Sequence, residues 1–251
     1  LSKLNTARVN IVTLEDPVEI RVDGVNQVQV NPQAGLTFAS GLRSFLRQDP
    51  NIIMVGEIRD GETAELAVHA ALTGHLVLST LHTNSAAGAI PRRLDMGVEN
   101  FLLASTLNAG LAQRLIRRIC NDCKEEYTPP ADVQESMTRT LGESAANKTI
   151  MIKDPEVAKS VKKFLDEKAH KISRGKGCPK CANTGYRGRL GIFELLPMTD
   201  EIAHMTLERT PDSKIESEAV KEGMLTLIQD GYLRVAEGVT TIEEVMRVAK
   251  Q

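Results

Sequence analysis

The first part of the chain alternates between short apolar runs and segments with helical character. Apolar residues fill the runs 9–14, 52–55 and 76–81, whose length and β-branched content are typical of buried strands. Segment 37–48 repeats apolar residues at the spacing of one helix face, and segment 62–73 is also predicted to be helical. This alternation predicts a parallel sheet covered by helices, and therefore an α/β fold.

Further helices are predicted beyond this region. Gly74 is expected to end the second helix, because glycine readily adopts the left-handed conformation at helix ends. Ser85 is expected to cap a third helix that ends before Gly97. Segment 101–119 is interpreted as an amphipathic helix that runs directly into the first cysteine, and 191–251 is also expected to be helical.

These patterns suggest three consecutive parts. Residues 1–118 form the α/β core, 119–190 hold all four cysteines, and 191–251 form a helical closing subdomain. Within the second part, the polar interior at 131–170 is expected to be helical and to carry charge rather than chemistry. In the third part, the pattern Thr-Ile-Glu-Glu at 241–244 fits a capping box at the start of a helix.

Polar side chains follow three of the predicted strands at the point where each strand ends. The carboxyl ends of parallel strands meet at one sheet edge, where α/β proteins bind phosphate groups. Carboxylates there can hold a hydrated divalent cation or accept a proton from water, and a hydroxyl or imidazole can hydrogen-bond a phosphoryl group. The alternative is a set of core strands followed by solvated turns. The residues are Glu15, Asp16 and Glu19 after the first strand, Glu57 after the second, and Ser79, Thr80 and His82 after the third.

The four cysteines form two C-x-x-C pairs, Cys120 with Cys123 and Cys178 with Cys181. Each pair offers two thiolates on a tight turn, which is the spacing of a tetrahedral zinc site. The alternatives are unrelated buried cysteines or a redox pair, but two pairs that use every cysteine favour zinc. Four thiolates leave no open coordination position, so the predicted zinc ion is structural.

Composition narrows the possible functions. Hydrophobic residues make up 41% of the 251 and charged residues 25%, as in ordinary globular proteins. A net charge of −2, no Trp, three Tyr and five Phe argue against a nucleic-acid-binding surface. No apolar run approaches membrane-spanning length, and the paired cysteines suit a reducing compartment, so a cytoplasmic location is expected.

Four motifs, in order along the chain, resemble those of the type II secretion and type IV pilus assembly ATPases. They are TLEDPVE (13–19), GLTFASGLRSFLRQDPNIIMVGEIRD (35–60), AALTGHLVLSTLHTNSA (70–86) and the two C-x-x-C pairs. In that family they are called the Asp box, the Walker B region, the His box and the tetracysteine motif. The similarity continues through 223–249 and so covers nearly the whole chain.

The resemblance implies a RecA-like P-loop NTPase core with a tetracysteine zinc insert and a helical C-terminal subdomain. It implies a cytoplasmic motor that hydrolyses Mg-ATP to assemble pilin-like subunits for a type IV pilus or for type II secretion. Such a motor is expected to be a homo-hexamer docked on an inner-membrane platform protein, and so peripheral to the membrane. The rival interpretation is a non-hydrolysing, zinc-stabilised interaction module.

The resemblance also implies roles for the residues at the strand ends. Glu57 is the candidate for the carboxylate that polarises the attacking water. Many Walker B strands end in Asp-Glu, and here Gly56 stands at the Asp position, so coordination of the metal ion is expected to involve the carboxylates of the Asp box. Those carboxylates are Glu15, Asp16 and Glu19, and Glu15 is also a candidate catalytic residue.

Basic residues complete the expected site. His82 is expected to contact the γ-phosphate or to relay between subunits, and His75 lies in the same box. Both histidines could instead serve as capping or core residues. Arg43 and Arg47 are one helical turn apart and, with Arg59, could stabilise transition-state charge or form a solvated edge.

One expected motif does not occur. The 251 residues contain no G-x-x-x-x-G-K-[ST], the pattern of a phosphate-binding loop. In the family this loop precedes the Asp box, so we interpret the chain as truncated at its amino terminus; a natural pseudoenzyme is the alternative. The chain alone is therefore expected to bind ATP very weakly, to show no detectable turnover and to form no stable ring.

Overall fold

The structure is a computed structural model that describes residues 1–146 and 171–249. The described residues fall into two compact units. The first contains Leu1–Thr83, Gly88–Asn108 and Met198–Asp212. The second contains residues 84–87, 109–146, 171–197 and 213–249. The chain therefore passes between the units more than once.

The described strands and helices are numbered in chain order. The strands are β1 (Ile11–Glu15), β2 (Asn26–Gln29), β3 (Ile52–Val55), β4 (Leu76–Ser79), β5 (Ala109–Ile119), β6 (Lys124–Tyr127), β7 (Ile172–Gly175) and β8 (Tyr186–Pro197). The helices are α1 (Phe38–Phe45), α2 (Gly61–Leu72), α3 (Ala89–Asp95), α4 (Asn100–Thr106), α5 (Ala131–Ala146), α6 (Asp200–Leu207), α7 (Asp212–Lys221), α8 (Leu227–Ala236) and α9 (Ile242–Ala249).

The first unit is built on a parallel sheet with strand order β2-β1-β3-β4. Every residue of β1 is buried, and so are Ile52, Ile53 and Val55 of β3, because helices cover a parallel sheet. Three of the four strands are the predicted ones, so the α/β expectation is confirmed. The fourth, β2, has the sequence NQVQ and is half-exposed, and its short polar pattern carries no strand signal.

The first two predicted helices are present, although α1 ends at Phe45, before the predicted end at Gln48. Thr37 caps α1 through a capping box with Ser40, and Asp60 caps α2 by accepting from the backbone N–H of Thr63. Gly74 follows α2 with φ +97°, the left-handed conformation in which glycine is favoured. Both helices are therefore set by local sequence.

Two helix predictions are wrong. The segment 101–119 is not one helix: α4 ends at Thr106, and β5 pairs antiparallel with β8 along its whole length. Partners about 80 residues away supply those hydrogen bonds, and local periodicity cannot reveal them. The helix expected to start at Ser85 starts at Ala89 with Gly88 as its N-cap, because residues 84–87 fold with the second unit.

The third part of the chain is helical only after Pro197, because β8 occupies Tyr186–Pro197. The boundaries expected at 118/119 and 190/191 both fall inside paired strands, and Met198–Asp212 groups with the first unit. For the polar interior at 131–170, α5 covers residues up to Ala146, and 147–170 lie outside the described residues.

The second unit contains the antiparallel pairs β5–β8 and β6–β7. Its helices α8 and α9 pack closely at Gly231, where an added Cβ would lie 2.5 Å from Val245. Thr241 caps α9 by accepting from the Glu244 N–H at 3.3 Å, as the capping-box pattern predicts. The side chain of Glu244 does not return to the cap; it binds Arg117 and Arg247 instead. The main buried cluster comprises Met137, Leu141, Ile172, Tyr232, Leu233, Val235 and Val245.

Among the described residues, no helix combines the length and apolar character that a membrane crossing needs.

Candidate functional site

The carboxyl ends of β1, β3 and β4 lie at one edge of the parallel sheet. Gly56 follows β3, and its N–H donates to the Leu14 carbonyl at 2.7 Å. An added Cβ at Gly56 would lie 3.0 Å from that carbonyl oxygen and 3.3 Å from the Cα of Glu15. Gly56 thus lets the chain leave β3 directly beside the end of β1, which brings the Glu15 and Glu57 segments together.

Glu57 is the centre of a small cluster of charged groups. One carboxylate oxygen lies 3.0 Å from Nε2 of His82, and the other accepts from the guanidinium of Arg59. The side chain of Glu57 is 14% exposed, whereas Arg59 and His82 are 63% and 87% exposed. The hydrogen bond from Arg59, followed by that from His82, lowers the pKa of Glu57 below its usual value. Glu57 is therefore a carboxylate at neutral pH, shielded itself but held by accessible partners.

Backbone and hydroxyl contacts bring His82 to Glu57. The hydroxyl of Thr80 donates to the Gly56 carbonyl, and the Ile58 N–H donates to the Thr80 carbonyl at 3.2 Å. These two bonds tie the segment after β4 to the segment after β3. The sequence prediction that these strand ends converge is consistent with this geometry.

Glu15 ends β1 and is 9% exposed. Its carboxylate accepts from the Thr13 hydroxyl at 2.6 Å and from the Gln27 side-chain amide at 2.9 Å. Gln27 also donates to the Ile20 carbonyl and accepts from the Val22 N–H, so it holds the loop that carries the other acidic residues. Sequence analysis did not single out Gln27, because β2 was not recognised.

Asp16 and Glu19 are exposed on this loop. The pKa of Arg59 is raised, mainly by Glu57 and to a smaller extent by the charge of Asp16, which places Asp16 in the neighbourhood of the cluster. A loop with two free carboxylates beside Glu15 is chemically suited to a hydrated divalent cation.

Among the other predicted residues, Arg43 and His75 have partners other than Glu57. Arg43 pairs with Glu62 at 2.5 Å, and Arg47 is exposed. His75 precedes β4 and so lies at the opposite edge of the sheet, where Nδ1 is 2.9 Å from the Ala70 carbonyl at the end of α2. The structure therefore places His75 at the opposite edge of the sheet, and joins Glu57 to Arg59 and His82 beside the Glu15 segment.

Arg93 is a basic residue near this edge that sequence analysis missed. Its guanidinium lies 3.4 Å from the Ser79 hydroxyl at the end of β4. The side chain is half-buried, and burial lowers its pKa to about 10. No motif in the sequence singles out this position.

The four cysteines form a second cluster, in the second unit. Their Sγ atoms all lie within 4.8 Å of one another. The backbone folds tightly around them: Cys120 N–H donates to the Gly185 carbonyl at 2.9 Å, and a Cβ at Gly175 would lie 2.1 Å from that same oxygen. Gly185 itself has φ +76°. A side chain at Gly175 or Gly185 would therefore prevent the backbone from folding this closely beside the cluster.

The sulfur geometry fits a zinc ion. Zinc–sulfur bonds of about 2.3 Å place the corners of a tetrahedron roughly 3.8 Å apart. The distances between Sγ atoms are 3.9 Å for Cys120–Cys178, 3.9 Å for Cys123–Cys181 and 3.7 Å for Cys178–Cys181. Burial acts to raise the pKa of Cys181, but backbone hydrogen bonds from Cys178 and Gly185 outweigh it and lower the pKa to about 6. Burial instead raises the pKa of Cys123 to about 12, so the fit to a thiolate-binding metal rests on the distances between the sulfur atoms.

Comparison with known proteins identifies the family. The family model described as type II/IV secretion system protein matches residues 1–247. The chain belongs to this family. The resemblance of its four motifs to those of the secretion and pilus ATPases is therefore confirmed.

Two relatives illustrate the match. The type II secretion system ATPase E of Vibrio cholerae is 44% identical over 254 residues, which cover 100% of this chain and 45% of that protein. The type IV pilus assembly ATPase PilB of Thermus thermophilus is 47% identical over 246 residues, which cover 98% of this chain and 25% of that protein. The chain thus spans less than half of the length of either relative.

Solved structures agree with the α/β assignment. The pilus retraction motor PilT, solved with bound ADP, superposes with a TM-score of 0.61 and 26% identity, covering 96% of this chain and 52% of that one. The ATPase DotB of Legionella pneumophila has a TM-score of 0.57 at 21% identity and covers 96% of this chain and 50% of that one, which is a likeness of fold alone. Family membership and these neighbours together indicate a RecA-like ATPase fold.

Proposed function

We propose that this chain forms the hydrolytic part of a motor ATPase that drives assembly of pilin-like subunits. The observation that supports this most directly is the pairing of Glu57 with His82 beside Glu15, at the carboxyl edge of a parallel sheet. Relatives named for type II secretion and for pilus assembly match at similar identity, so the proposal names the step they share.

In this proposal Glu57 accepts the proton of the attacking water. A carboxylate that is already ionised at neutral pH and largely shielded from solvent is suited to that task. His82, with its ring exposed, orients Glu57 and is free to hydrogen-bond a phosphoryl group. Arg59 is the nearest positive charge for a developing negative one.

Glu15, Asp16 and Glu19 would hold the magnesium ion that accompanies ATP. Glu15 is oriented by Thr13 and Gln27, and the exposed pair on the loop keeps its oxygens available. Gly56 makes room for this arrangement, because a side chain at that position would press against the backbone of Glu15. Arg43 and Arg47 remain candidates for a contact in a neighbouring subunit, and the hydrogen bond of His75 favours a helix-ending role.

The proposed oligomeric state, location and metal ion are taken from the resemblance to the secretion and pilus ATPases. The motor would act as a hexamer, located in the cytoplasm on an inner-membrane platform protein. The four cysteines would hold one structural zinc ion. Its proposed role is to join the segments around Cys120 and Cys178, which are far apart in sequence.

The test joins this chain to the amino-terminal half of a relative that carries a phosphate-binding loop, and measures phosphate release with wild-type Glu57 and with Glu57→Gln. We expect turnover in the first protein and its loss in the second, with nucleotide binding retained. Turnover that survives Glu57→Gln at the wild-type rate would shift the role to Glu15.

The alternative function is a non-hydrolysing interaction module, and the lack of a G-x-x-x-x-G-K-[ST] pattern in the 251 residues favours it for the chain taken alone. Without such a loop, the acidic groups at this edge repel a triphosphate. Calorimetry of the 251-residue chain with Mg-ATP tests the chain alone: micromolar binding would show an autonomous nucleotide site and contradict the module. Undetectable binding is expected of both functions, and turnover of the joined protein then decides between them.

A further inference from the structure

Glu194 is a buried carboxylate in the second unit that the proposed chemistry does not use. It lies in β8 and is 3% exposed. One oxygen accepts from the Ala86 N–H at 2.7 Å, and the other accepts from the Leu227 N–H, the first residue of α8, at 3.3 Å. A buried carboxylate with two backbone partners joins two segments that are far apart in sequence.

The segment that Glu194 holds is the loop 84–87. This loop is grouped with the second unit, although the residues on both sides of it belong to the first. Ala86 and Ala87 are 2% and 0% exposed. The loop also lies against β5, because an added Cβ at Gly110 would be 3.2 Å from the Ala86 carbonyl oxygen. Glu194 supplies a short polar contact to this loop, at 2.7 Å.

The same loop directly continues the segment that carries His82. Ala86 follows His82 by four residues, a stretch of chain that spans at most about 14 Å. His82 itself is 87% exposed, and packing does little to hold its ring in place. Its position beside Glu57 therefore depends on contacts of the neighbouring chain, among them those of Thr80 before it and Ala86 after it.

We propose that Glu194 is a positioning residue that anchors the loop 84–87 and thereby keeps His82 within hydrogen-bonding distance of Glu57. Its meaning for catalysis rests on the ATPase function proposed above, whereas the anchoring itself does not.

The experiment uses the 251-residue chain without nucleotide. Glu194→Ala removes both acceptors; Glu194→Gln keeps one acceptor oxygen and turns an amide donor toward the other N–H. The matched control is Asp230→Asn, which changes another buried carboxylate of this unit that accepts a backbone N–H, from Phe193 at 2.8 Å, but does not touch the loop. Two readouts are taken: amide hydrogen exchange at Ala86, and the ¹⁵N shifts of the His82 ring, with the exposed His69 ring as internal reference.

We expect Glu194→Ala to speed exchange at Ala86 by roughly tenfold or more, because exchange follows local opening. The His82 ring shifts should move toward those of His69, and Glu194→Gln should change both readouts in the same direction by less. Asp230→Asn keeps an acceptor oxygen for the Phe193 N–H and should leave both readouts unchanged. If Glu194→Ala proves unable to fold, the same two readouts in Glu194→Gln decide.

The proposal is overturned if Ala86 and His82 keep wild-type values in the glutamate variants, or if Asp230→Asn changes them equally. None of these measurements involves ATP. The two proposals can therefore fail separately. Unchanged readouts in the Glu194 variants would refute the anchoring but not the ATPase function, and turnover that survives Glu57→Gln would refute the role of Glu57 but not the anchoring.

Discussion

Glu57 in the first unit and Glu244 in the second are both carboxylates held by two basic side chains, yet their surroundings differ. Glu244 is 0% exposed at its side chain, and its oxygens receive the Arg117 N–H and the guanidinium groups of Arg117 and Arg247. Glu57 has one arginine and one histidine, both mostly exposed. A saturated, buried carboxylate stabilises a fold, whereas a shielded carboxylate with replaceable partners can exchange them for substrate.

The same contrast appears in proton affinity. The pKa of Glu57 is lowered by its two side-chain partners. At Glu244, burial acts to raise the pKa, but hydrogen bonds from Arg247 and Arg117 outweigh it and lower the pKa to about 2. Both groups are ionised at neutral pH, so ionisation alone does not distinguish a structural carboxylate from a candidate catalytic one. The exposure of the carboxylate itself differs: its side chain is 0% exposed at Glu244 and 14% at Glu57, whereas the arginines bound to Glu244 are also 43% and 52% exposed.

The largest expected effect concerns the cysteine cluster of the second unit. If zinc joins Cys120 and Cys123 to Cys178 and Cys181, its removal should cost a large part of the roughly 10–16 kcal/mol typical of small thiolate sites. Metal analysis of reductively purified protein should return about one zinc per chain, and chelation should lower the melting temperature of this unit. Protein purified without metal, or with two disulfides, would contradict the proposal.

The next effect tests Glu57 as an exchangeable carboxylate. Glu57→Gln keeps the volume of the side chain but removes a proton acceptor. In the joined protein, which links this chain to the amino-terminal half of a relative, turnover should therefore fall by about 10²–10⁴-fold. Because the group is not needed to hold the fold, the free energy of unfolding should change by less than about 1 kcal/mol. Phosphate release and denaturant unfolding of the same samples check both statements.

Glu244→Gln should show the reverse pattern. It leaves two arginines without their buried partner, which costs roughly 2–4 kcal/mol once the partial exposure of those arginines is considered. Turnover per folded molecule should stay near wild type. Glu243→Gln is the matched control, because the neighbouring Glu243 lies exposed on the same helix. Equal stability of the two variants would contradict the structural role of Glu244.

The pH dependence of stability sharpens this assignment. The pKa of Glu244 is lowered on folding, from 4.5 to about 2, so its contribution is fully present above the unfolded value and is lost as the pH falls from about 4.5 toward 2. Acid unfolding of the wild-type protein should therefore steepen in this window relative to Glu244→Gln. The unfolding free energy of the two proteins measured at a series of pH values checks it.

The smallest expected effect is that of Arg59. Arg59→Gln removes the first cause of the lowered pKa of Glu57, so the acid limb of the turnover profile should move to higher pH. The pair is too exposed to matter for folding, and stability should change by no more than about 0.5 kcal/mol. Phosphate release as a function of pH, in the joined protein, measures the shift. An unchanged acid limb would mean that Glu57 protonation does not limit turnover.

Much of the first unit could be predicted because its signals are local. Buried parallel strands appear as continuous apolar runs, and Thr37, Asp60 and Gly74 carry the chemistry of helix ends. The convergence of Glu57 and His82 followed from topology, since parallel strands place their carboxyl ends at one edge. β2 and Gln27 were missed because four half-exposed polar residues carry no strand signal.

The second unit was harder to predict because its contacts join distant segments. A short apolar sequence with basic residues fits a helix as well as a strand, and only pairing with β8 makes 109–119 a strand. The capping pattern at Thr241 was predicted correctly. The side chain of Glu244, however, does not complete the cap but accepts a hydrogen bond from Arg117, more than a hundred residues earlier. Ser85 lost its predicted role for the same reason, since its loop folds against β5 rather than starting a helix.

Residue types and their spacing were therefore enough to establish the α/β class, the family, the two cysteine pairs and the carboxylates at the strand ends. These properties depend on neighbours within a few residues or on the fixed geometry of parallel strands. Tertiary structure decided which of the polar residues meet, which carboxylate is saturated and which is open, and where the loop after His82 is held. Those outcomes depend on hydrogen bonds between residues far apart in sequence, such as Ala86 and Glu194, and such bonds form only when the chain has folded.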